Sequence, residues 1–476
     1  MSDPATPDRA ELERLLSRCG QQHVLAYWEE LSPAEQSSLA GQIATAVEAI
    51  EGELAGLLSQ LQRTAADAAS LAPAALPADA AAPPATDLTA DGLTADERQS
   101  AHARGMAALA AGEVAVLVLA GGEGSRLGFA GPKSLLPIGP ISGATLIQLV
   151  CEKVATAARR AGGLIPLCVM TSPTTHAGIV EHFEANRHFG LNSDELFLFE
   201  QGTLPAVDAS HGRLLLADRG NLQLSPDGHG GAIRALARHG ILTSLRQSGV
   251  KTLFCVQVDN PLVPVCDPVS IGLHLEHASQ ATIKTRIKQS ADEHVGTMVD
   301  IGGRTRVVEY SDLPPEVAAR RSPAGELVFH RASVAVYLFE LELFEQAAEA
   351  DPLPLHVAHK KVKHLTADGA LIEPSEPNAL KFERFIFDVL PRAERTLVLG
   401  IDPDQEYAPI KDRKRSPEAA QAQLQAEFLR WLQLAGAEVA PGVTVEISPR
   451  YAASADELAA RLPAGTRIER PTYLQQ

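Results

Sequence analysis

The sequence predicts an α/β fold in which helices flank a mixed, mostly parallel sheet. Between residues 100 and 395, short apolar runs alternate with amphipathic stretches at helical spacing, an order typical of parallel strands joined by helices. The clearest apolar runs are VAVLVLA (114–120), IPLCVMT (165–171), ELFLFE (195–200) and TLFCVQVD (252–259). Ligands of such sheets bind beyond the carboxyl ends of the strands, so the residues that follow each run are the candidates for function.

The first part of the chain, residues 1–99, is predicted to be a helical segment that ends in a linker. The motif SPAE (32–35) predicts a helix start, because Ser32 can accept a hydrogen bond from the third helical amide while Glu35 reaches back to the Ser32 amide. Proline also fits the first helical position. Residues 64–92 are rich in Ala and Pro and have no periodicity, which indicates a flexible linker.

The rest of the chain divides into a central domain, 100–395, and a small C-terminal domain, 396–476. The stretch PEAAQAQLQAEFLRWLQLAG (417–436) has a helical pattern, and GVTVEIS (442–448) is a β-like run. Together they predict an α+β arrangement for the C-terminal domain. We find no internal repeat.

Composition and charge exclude several classes of protein. The 476 residues carry a formal net charge of −17, which argues against a nucleic-acid binder because such binding needs surplus Lys and Arg. No apolar run reaches about 18 residues, so no membrane span is expected, and the acidic N-terminus lacks the apolar core of a secretory signal. Five scattered cysteines without CxxC spacing favour neither a zinc site nor a disulfide framework. We expect a cytoplasmic protein, and a monomeric one.

A glycine-rich loop follows the first apolar run of the central domain. It reads LAGGEGSRLGFAGPKSLLPIG (119–139), and its glycines allow the backbone to turn sharply and to approach a ligand. Backbone amides in such a loop can donate to phosphate oxygens, and Arg126 and Lys133 add two cations suited to a polyphosphate. A glycine-rich turn with ordinary surface cations remains the alternative.

Two other kinds of nucleotide loop do not fit the sequence. A Walker A loop requires Gly-Lys followed by Ser or Thr, whereas Lys133 follows Pro132. A dinucleotide fingerprint requires GxGxxG and an acid about 20 residues later, whereas no acid lies between Glu123 and Glu152. A nicotinamide-dependent dehydrogenase is therefore disfavoured.

The pattern GGxGxRLGxxxPK in this loop resembles the signature of sugar-nucleotide pyrophosphorylases. From about residue 11 to about residue 415 the chain is similar to the eukaryotic-type UDP-N-acetylglucosamine pyrophosphorylase group of that family. The segments that carry the similarity follow the order of the group and include GQQHVLAYWEEL, FEQGTLPAVD, SPDGHGG, VDNPLV, VVEYSDL, PNALKFERFIFD and YAPIK.

The resemblance implies a Rossmann-like nucleotidyltransferase core and a uridylyltransferase that makes a UDP-sugar and pyrophosphate from UTP and a sugar 1-phosphate, with Mg²⁺ (or Mn²⁺). The residues that it assigns to UTP binding are Leu119, Ala120, Gly121, Gly122, Gln201, Gly228 and Lys381. The residues that it assigns to charge stabilisation in catalysis are Arg126, Lys133 and Lys411. The residues that it assigns to the sugar are His229, Glu309, Tyr310 and Ser333, and the metal ligand is Asp259.

The residues themselves support some of these roles. Asp259 ends an apolar run, where a carboxylate can hold Mg²⁺, although a helix cap or a turn residue is the alternative. Gln201 follows another run and carries both a donor and an acceptor for the edge of uracil, or else it stabilises a loop. Without the resemblance, Lys381 and Lys411 would be ordinary surface charges, and Glu309 an exposed strand residue.

The sequence departs from the pattern of the group at two positions that bear on the sugar. His229 stands in the turn GHGG where the N-acetylglucosamine enzymes carry Asn, and Ser333 stands in HRASVAVY (330–337) where an Asn is expected beside the N-acetyl group. N-acetylglucosamine 1-phosphate is the predicted substrate, and UDP-glucose or broad-specificity UDP-sugar formation is the alternative. A non-catalytic uridine-nucleotide-binding module is the alternative from a different class, but the retained cations Arg126 and Lys133 disfavour it.

Overall fold

The computed structural model describes residues 8–52, 54, 81–84, 87–366, 368–412, 414–463 and 465–475. The α-helices are α1 (Arg9–Cys19), α2 (Pro33–Glu51), α3 (Ala95–Ala110), α4 (Leu146–Ala161), α5 (His176–Ala185), α6 (Ala232–Arg238), α7 (Ile241–Gln247), α8 (Pro268–Glu276), α9 (Pro315–Ala318), α10 (Leu341–Glu349), α11 (Pro403–Glu406), α12 (Pro417–Leu434) and α13 (Ala455–Arg461). The strands as far as the middle of the chain are β1 (Ala81–Ala82), β2 (Asp87–Thr89), β3 (Val114–Leu119), β4 (Leu167–Thr171), β5 (Leu196–Glu200), β6 (Thr203–Pro205), β7 (Val207–Asp208), β8 (Leu224–Pro226), β9 (Thr252–Gln257) and β10 (Ala281–Ile287). The later strands are β11 (Thr297–Ile301), β12 (Arg304–Val308), β13 (Arg331–Glu340), β14 (His356–Lys360), β15 (His364–Leu365), β16 (Leu371–Ile372), β17 (Ala379–Glu383), β18 (Thr396–Gly400), β19 (Glu438–Val439), β20 (Val445–Ile447), β21 (Arg467–Ile468) and β22 (Thr472–Leu474).

The chain packs into two compact units that do not follow its linear order. The first unit combines Met1–Ala75, of which 8–52 and 54 are described, with Gly202–Gly231 and Pro352–Ile386. The second unit combines Leu76–Gln201, Ala232–Asp351 and Phe387–Gln476. Residues 202–231 and 352–386, predicted as part of the central domain, pack instead with the N-terminal helices. Of the predicted linker, 64–80, 85 and 86 lie outside the described residues, while β1 and β2 are part of the sheet of the second unit.

The first unit has a core of its own. Leucines of α1 and α2, such as Leu12 and Leu39, are buried in one cluster with Leu204, Leu380 and Phe382 from the short strands. These strands are too short to form a separate core, so the helices cover their apolar faces.

The helix start predicted at residue 32 in the first unit is confirmed. The Glu35 carboxylate accepts from the Ser32 amide at 2.8 Å, and the Ser32 hydroxyl accepts from the Glu35 amide at 3.4 Å. These hydrogen bonds also lower the pKa of Glu35, since the Ser32 hydroxyl and amide stabilise its charged form. Two of the otherwise unpaired donors at the start of α2 are satisfied in this way.

The second unit is built on the predicted mostly parallel sheet. Its main strand order is β2-β18-β10-β13-β9-β3-β4-β5, and β1, β11 and β12 extend it beside β13. The four apolar runs of the sequence are its strands β3, β4, β5 and β9, which lie parallel to their neighbours in that group. Strand β13 runs antiparallel to both β9 and β10. The predicted α/β fold is confirmed.

Helices cover both faces of this sheet, which explains why its central strands are apolar throughout. All six residues of β3 are buried, as expected for a parallel strand covered on both sides. Helices α3 and α8 approach one another so closely that each has a glycine at the contact, Gly105 and Gly272. The carboxyl ends of β3, β4, β5 and β9 share one edge, because Leu119 pairs with Met170 and with Gln257.

Residues near the C-terminus form a small α+β element within the second unit. Helices α12 and α13 pack on the two-stranded pairs β19–β21 and β20–β22 around a cluster that contains Leu432, Val445 and Leu458. The buried carboxylate of Glu446 accepts hydrogen bonds from the amides of Ile141 and Ser142, both at 2.7 Å. This element is therefore tied to the loop that precedes α4.

Candidate active site

The glycine-rich loop after β3 is a compact turn rather than an extended strand. The Gly124 amide donates to the Gly131 carbonyl at 2.9 Å, and the Lys133 amide donates to the Gly122 carbonyl at 3.0 Å. A Cβ on Gly124 would lie 2.7 Å from a ring carbon of Phe129, so only glycine fits there. The turn returns the chain to its starting point and places Lys133 beside the end of β3.

Lys133 and Asp259 form an ion pair at the carboxyl edge of the sheet. The Lys133 ammonium (Nζ) lies 2.6 Å from Asp259 Oδ2, and both side chains are largely buried, at 16% and 10% exposure. Asp259 lies two residues beyond β9, the neighbour of β3, so the two strands bring the predicted phosphate cation and the predicted metal ligand together. Each charge offsets the cost of burying the other. A bound polyphosphate could take the place of Asp259 as the partner of Lys133, and the cation of that polyphosphate could take the place of Lys133 as the partner of Asp259.

Gln201 stands at the same edge, directly after β5. Its backbone amide donates to the Thr171 carbonyl at 2.9 Å, and the residue is 5% exposed. Its side-chain nitrogen lies 3.0 Å from where a Cβ on Gly121 would be, so the absence of a side chain at Gly121 makes room for the amide. The side-chain oxygen of Gln201 has no hydrogen-bond partner within the described part of the chain. A buried acceptor without a donor costs about 1–3 kcal/mol, which a ligand donor would recover.

Lys411 is brought close to this group through its backbone. The Ile410 amide donates to the Asp259 carbonyl at 3.0 Å, so the half-buried Lys411 follows a residue bonded to Asp259. The side chain of Asn260 also bonds to this segment. Asn260 is a further residue of the site that sequence reasoning missed, although it directly follows Asp259 in the VDNPLV segment.

Two of the residues predicted for the sugar, Ser333 and Glu309, lie near a bulge in β13. The Ser333 amide donates to the Gly296 carbonyl at 2.9 Å, and the Ser333 hydroxyl lies 3.1 Å from the Tyr337 hydroxyl. A carboxylate oxygen of Glu309 lies 3.2 Å from where a Cβ on Gly296 would be. Burial raises the pKa of Tyr337, so its hydroxyl stays protonated. Sequence reasoning missed Tyr337, because only the register shift in β13 turns it toward Ser333.

Two other predicted residues are more exposed. Tyr310 is 49% exposed and stacks on His294, with ring centroids 4.3 Å apart. Arg126 lies exposed in the turn Ser125–Leu127 of the glycine-rich loop. Both side chains have room to move onto a ligand.

Gly228, His229 and Lys381 belong to the first unit. Gly228 has a φ of +83°, and a Cβ there would lie 2.4 Å from the Arg384 carbonyl oxygen. The imidazole of His229 accepts from the Ile386 amide through Nδ1 at 3.0 Å, which places its proton on Nε2. Lys381 lies half-buried on β17. Backbone contacts therefore fix the glycine turn and orient the His229 ring.

Asp259 suits a hard cation that brings its own oxygen ligands. Across the described ranges, no group of three or more His, Cys, Asp and Glu side chains could hold a metal ion. Mg²⁺ in nucleotide sites typically takes one or two protein carboxylates together with phosphate oxygens and water. A single buried carboxylate next to the glycine-rich loop fits that pattern.

Known proteins resemble this chain in sequence over most of its length. Residues 75–415 match the family model of UTP–glucose-1-phosphate uridylyltransferase. The human UDP-N-acetylhexosamine pyrophosphorylase-like protein 1 is 33% identical over 439 residues, which cover 89% of this chain and 85% of that protein. The UDP-N-acetylglucosamine pyrophosphorylase of Saccharomyces cerevisiae is 32% identical over 366 residues, which cover 74% of this chain and 77% of that one.

A solved structure shows the same architecture. The uridine diphosphate N-acetylglucosamine pyrophosphorylase of Trypanosoma brucei superposes with a TM-score of 0.78 at 26% identity, over 98% of this chain and 99% of that one. No helix in the described parts of this chain has the length and apolar character needed to cross a membrane. From the family match and the extent of these similarities, the chain belongs to the UTP–glucose-1-phosphate uridylyltransferase family.

Proposed function

We propose that the chain transfers the uridylyl group of UTP to N-acetylglucosamine 1-phosphate and releases pyrophosphate. The observation that carries this proposal is the Lys133–Asp259 ion pair beside the glycine-rich loop, with the unsatisfied amide oxygen of Gln201 at the same sheet edge. These groups match the parts of UTP: the ammonium group suits the phosphates, the carboxylate suits the Mg²⁺ that accompanies them, and the amide suits the edge of uracil.

Gln201 would select the uracil base. Uracil presents one N–H donor between two carbonyl acceptors, and the side chain of Gln201 has an acceptor and a donor in one plane. Its oxygen would accept from the uracil N–H, and its nitrogen would donate to a uracil carbonyl. Gly121 would allow the base or ribose to approach the backbone closely.

The reaction would be an in-line displacement at the α-phosphorus of UTP. A phosphate oxygen of the sugar 1-phosphate forms the new bond to that phosphorus, and the bond from it to the oxygen of the β-phosphate breaks. The nucleophile is already an anion, so no general base is required. Lys133 and Arg126 would stabilise the charge that develops on the departing pyrophosphate, and Lys411 would orient the incoming phosphate.

Asp259 would hold Mg²⁺ together with phosphate oxygens of UTP. The bound ion would offset the repulsion between the two anionic substrates. Lys133 would then exchange its contact with Asp259 for one with a phosphate, since both interactions use the same ammonium group. The ion pair would thus keep both groups in place before UTP arrives.

The sugar is assigned from the relatives that are named for UDP-N-acetylglucosamine. A second candidate, glucose 1-phosphate, is favoured by the geometry at Ser333. The Ser333 hydroxyl already accepts a hydrogen bond from the Ala335 amide at 3.2 Å and is bonded to the Tyr337 hydroxyl. The serine side chain is also shorter than that of the Asn expected beside an N-acetyl group. A pocket built this way gives less reason to prefer an acetamide.

Other roles stay predictions. Gly228 and Lys381 are proposed to contact UTP, and His229, Glu309 and Tyr310 to contact the sugar. We also propose that the enzyme acts in the cytoplasm as a monomer; its five cysteines are free thiols, as a reducing compartment would keep them.

A substrate panel tests the proposal. Purified enzyme with Mg²⁺ would be assayed for pyrophosphate release from UTP, CTP or ATP with N-acetylglucosamine, glucose or galactose 1-phosphate. We expect the highest kcat/KM with UTP and N-acetylglucosamine 1-phosphate. A higher value with glucose 1-phosphate would select the second candidate, and a Ser333→Asn variant should then shift the ratio back toward the N-acetyl sugar. No release with UTP and any of these sugar phosphates would refute the proposal.

A further inference from the structure

A buried lysine lies on an interior strand of the sheet of the second unit, outside the residues assigned to substrates. Lys284 is on β10, and its side chain is 1% exposed. Its ammonium (Nζ) lies 2.8 Å from Glu406 Oε2 and 3.2 Å from Asp267 Oδ2. Burial acts to lower the pKa of Lys284, but the Glu406 and Asp267 carboxylates outweigh it and raise the pKa. Lys284 is therefore charged, and its charge is compensated inside the protein.

The two carboxylates differ in what else holds them. Asp267 caps α8, because its carboxylate accepts from the amides of Val269 at 3.1 Å and Ser270 at 3.2 Å. Asp267 would keep its place without the lysine. Glu406 is the last residue of the short helix α11, which has four residues, and its side chain reaches inward to Lys284. The lysine therefore matters most for the position of Glu406.

The segment that begins at Glu406 runs directly to the active site. The side-chain amide of Asn260 donates to the Glu406 carbonyl at 2.8 Å, and its oxygen accepts from the Ala408 amide at 2.9 Å. The Ile410 amide donates to the Asp259 carbonyl at 3.0 Å. These three hydrogen bonds align 406–410 with the residues that follow β9, and Lys411 comes next.

We propose that Lys284 is a positioning residue for the reaction: through its ion pair with Glu406 it fixes the segment 406–411 and so places Lys411 beside Asp259. Asn260 holds the middle of this segment, and Lys284 holds its beginning. Without the lysine, Glu406 would be a buried carboxylate lacking its counter-charge, and it would turn toward water and draw the segment away from Asn260. This inference deepens the proposed function and rests on it for the role of Lys411.

The variant Lys284→Met tests the proposal, because it should change kcat/KM for the sugar 1-phosphate without changing the Kd for UTP. We expect kcat/KM for the sugar 1-phosphate to fall about 10- to 100-fold, since small displacements of a positioning group have effects of that size. The Kd for UTP should stay unchanged, because the hydrogen-bond partners of Lys284 are Asp267 and Glu406, which belong neither to the glycine-rich loop nor to Gln201. Lys251→Met, which removes a lysine from an exposed ion pair with Glu113, is the matched control and should change neither constant. An equal loss in UTP binding and in kcat/KM would overturn the proposal.

A second comparison separates positioning from simple stability. In Lys284→Met with Glu406→Gln, the unpaired charge at Glu406 is removed and Asp267 keeps only its capping hydrogen bonds, so the thermal midpoint should recover in part while kcat/KM for the sugar 1-phosphate stays low. Lys284→Arg, which keeps the charge, should restore part of kcat/KM. Recovery of full activity in the double variant would show that Lys284 only stabilises the fold.

A double-mutant cycle with Lys411→Ala identifies the residue through which Lys284 acts. If Lys284 works through Lys411, Lys284→Met should lower kcat/KM little further once Lys411 is removed. Fully additive losses would overturn the proposal.

Amide hydrogen exchange of 406–411 gives a readout that does not depend on turnover. We expect faster exchange at Ala408 and Ile410 in Lys284→Met than in the wild type, even if the substrate assignment proves wrong. Equal exchange would refute the positioning role and leave the proposed function standing.

Discussion

At the scale of single residues, the site depends on the close approach of backbone and side chains around Gln201. The side-chain nitrogen of Gln201 lies 3.0 Å from the Cβ position of Gly121, and its side-chain carbon (Cδ) lies 3.4 Å from it. A methyl group there could be accepted only if the glutamine moved. The orientation of the amide is therefore coupled to the absence of a side chain at residue 121.

The variant Gly121→Ala should weaken UTP binding. The added methyl would push the Gln201 amide away from the position proposed for reading uracil, and a loss of about 10-fold in affinity corresponds to about one hydrogen bond. Isothermal titration calorimetry with UTP and Mg²⁺ measures the Kd of the variant and of the wild type. Gly92→Ala is the control, because a Cβ there meets nothing nearer than 3.9 Å. Unchanged affinity in Gly121→Ala would remove Gln201 from the base site.

Strand ends made part of the site predictable. Asp259 and Gln201 follow apolar runs, so their place at the sheet edge follows from the parallel arrangement alone. The contact between Lys133 and Asp259 does not, because these residues are 126 positions apart in the chain and meet only through the way the glycine-rich loop folds back. Tyr337 meets Ser333 because of the register shift in β13, and Lys284 meets Glu406 although the two are distant in the chain. A single sequence shows neither the register nor the long-range pair.

At the scale of elements, the contact between α3 and α8 depends on two glycines. A Cβ on Gly105 would lie 1.9 Å from the Pro268 carbonyl oxygen, and a Cβ on Gly272 would lie 1.8 Å from the Ala101 carbonyl oxygen. Both obstacles are backbone atoms, so the helices would have to separate to admit a side chain. The contact between the two helices is therefore a close approach of their backbones.

Gly105→Ala should therefore destabilise the second unit by about 1–3 kcal/mol or more, the usual cost of overpacking. Gly41→Ala is the matched control in α2, where a Cβ meets no atom within 4 Å. That substitution should stabilise its helix by about 0.5–1 kcal/mol, because alanine is the better helix former. Thermal unfolding followed by circular dichroism compares the two. A midpoint for Gly105→Ala at or above that of the wild type would contradict the close packing of α3 and α8.

Elements differed in how well the sequence predicted them. The strands β3, β4 and β9 are buried along nearly their whole length, which produces continuous apolar runs, whereas β5, at the end of the strand order, is only partly buried. The strands of the first unit, such as β14 (His356–Lys360), are short and partly exposed, so their sequence carries no comparable run. Their assignment to the N-terminal helices follows from the shared core around Leu380 and Phe382, a long-range contact that composition does not reveal.

At the scale of the whole molecule, buried ionisable groups set the response to acid. His274, on α8, is 1% exposed, and its Nδ1 lies 2.9 Å from the Thr282 hydroxyl. Burial lowers the pKa of His274 to about 4. In the unfolded chain the same imidazole takes up its proton near pH 6.5, so the folded state binds fewer protons than the unfolded state between these values.

Stability should therefore fall as the pH drops from about 6.5 to about 4, and His274 alone accounts for about 3 kcal/mol of that loss. His274→Gln, which cannot take up the proton, should show a smaller loss of thermal midpoint between pH 7 and pH 4.5 than the wild type. His211→Gln is the control, because that side chain is 77% exposed. An identical pH dependence of His274→Gln and the wild type would contradict the role of this buried histidine.

The distribution of charge also belongs to the whole molecule. With a formal net charge of −17, the chain as a whole repels anions, yet its proposed substrates are a triphosphate and a sugar phosphate. The cations at the loop and Lys411 must therefore act locally, and Lys133 lies 2.6 Å from Asp259, the proposed metal ligand.

The most direct measurement is pyrophosphate release by the purified chain and by its Lys133→Ala variant, with UTP, Mg²⁺ and N-acetylglucosamine 1-phosphate. We expect turnover by the wild type and a drop in kcat of about 100- to 1,000-fold in the variant, the usual cost of losing one charge-stabilising donor. Circular dichroism should show that both proteins are folded. Equal turnover by the two, or no pyrophosphate from the wild type with any sugar 1-phosphate, would contradict a uridylyltransferase site built on the glycine-rich loop.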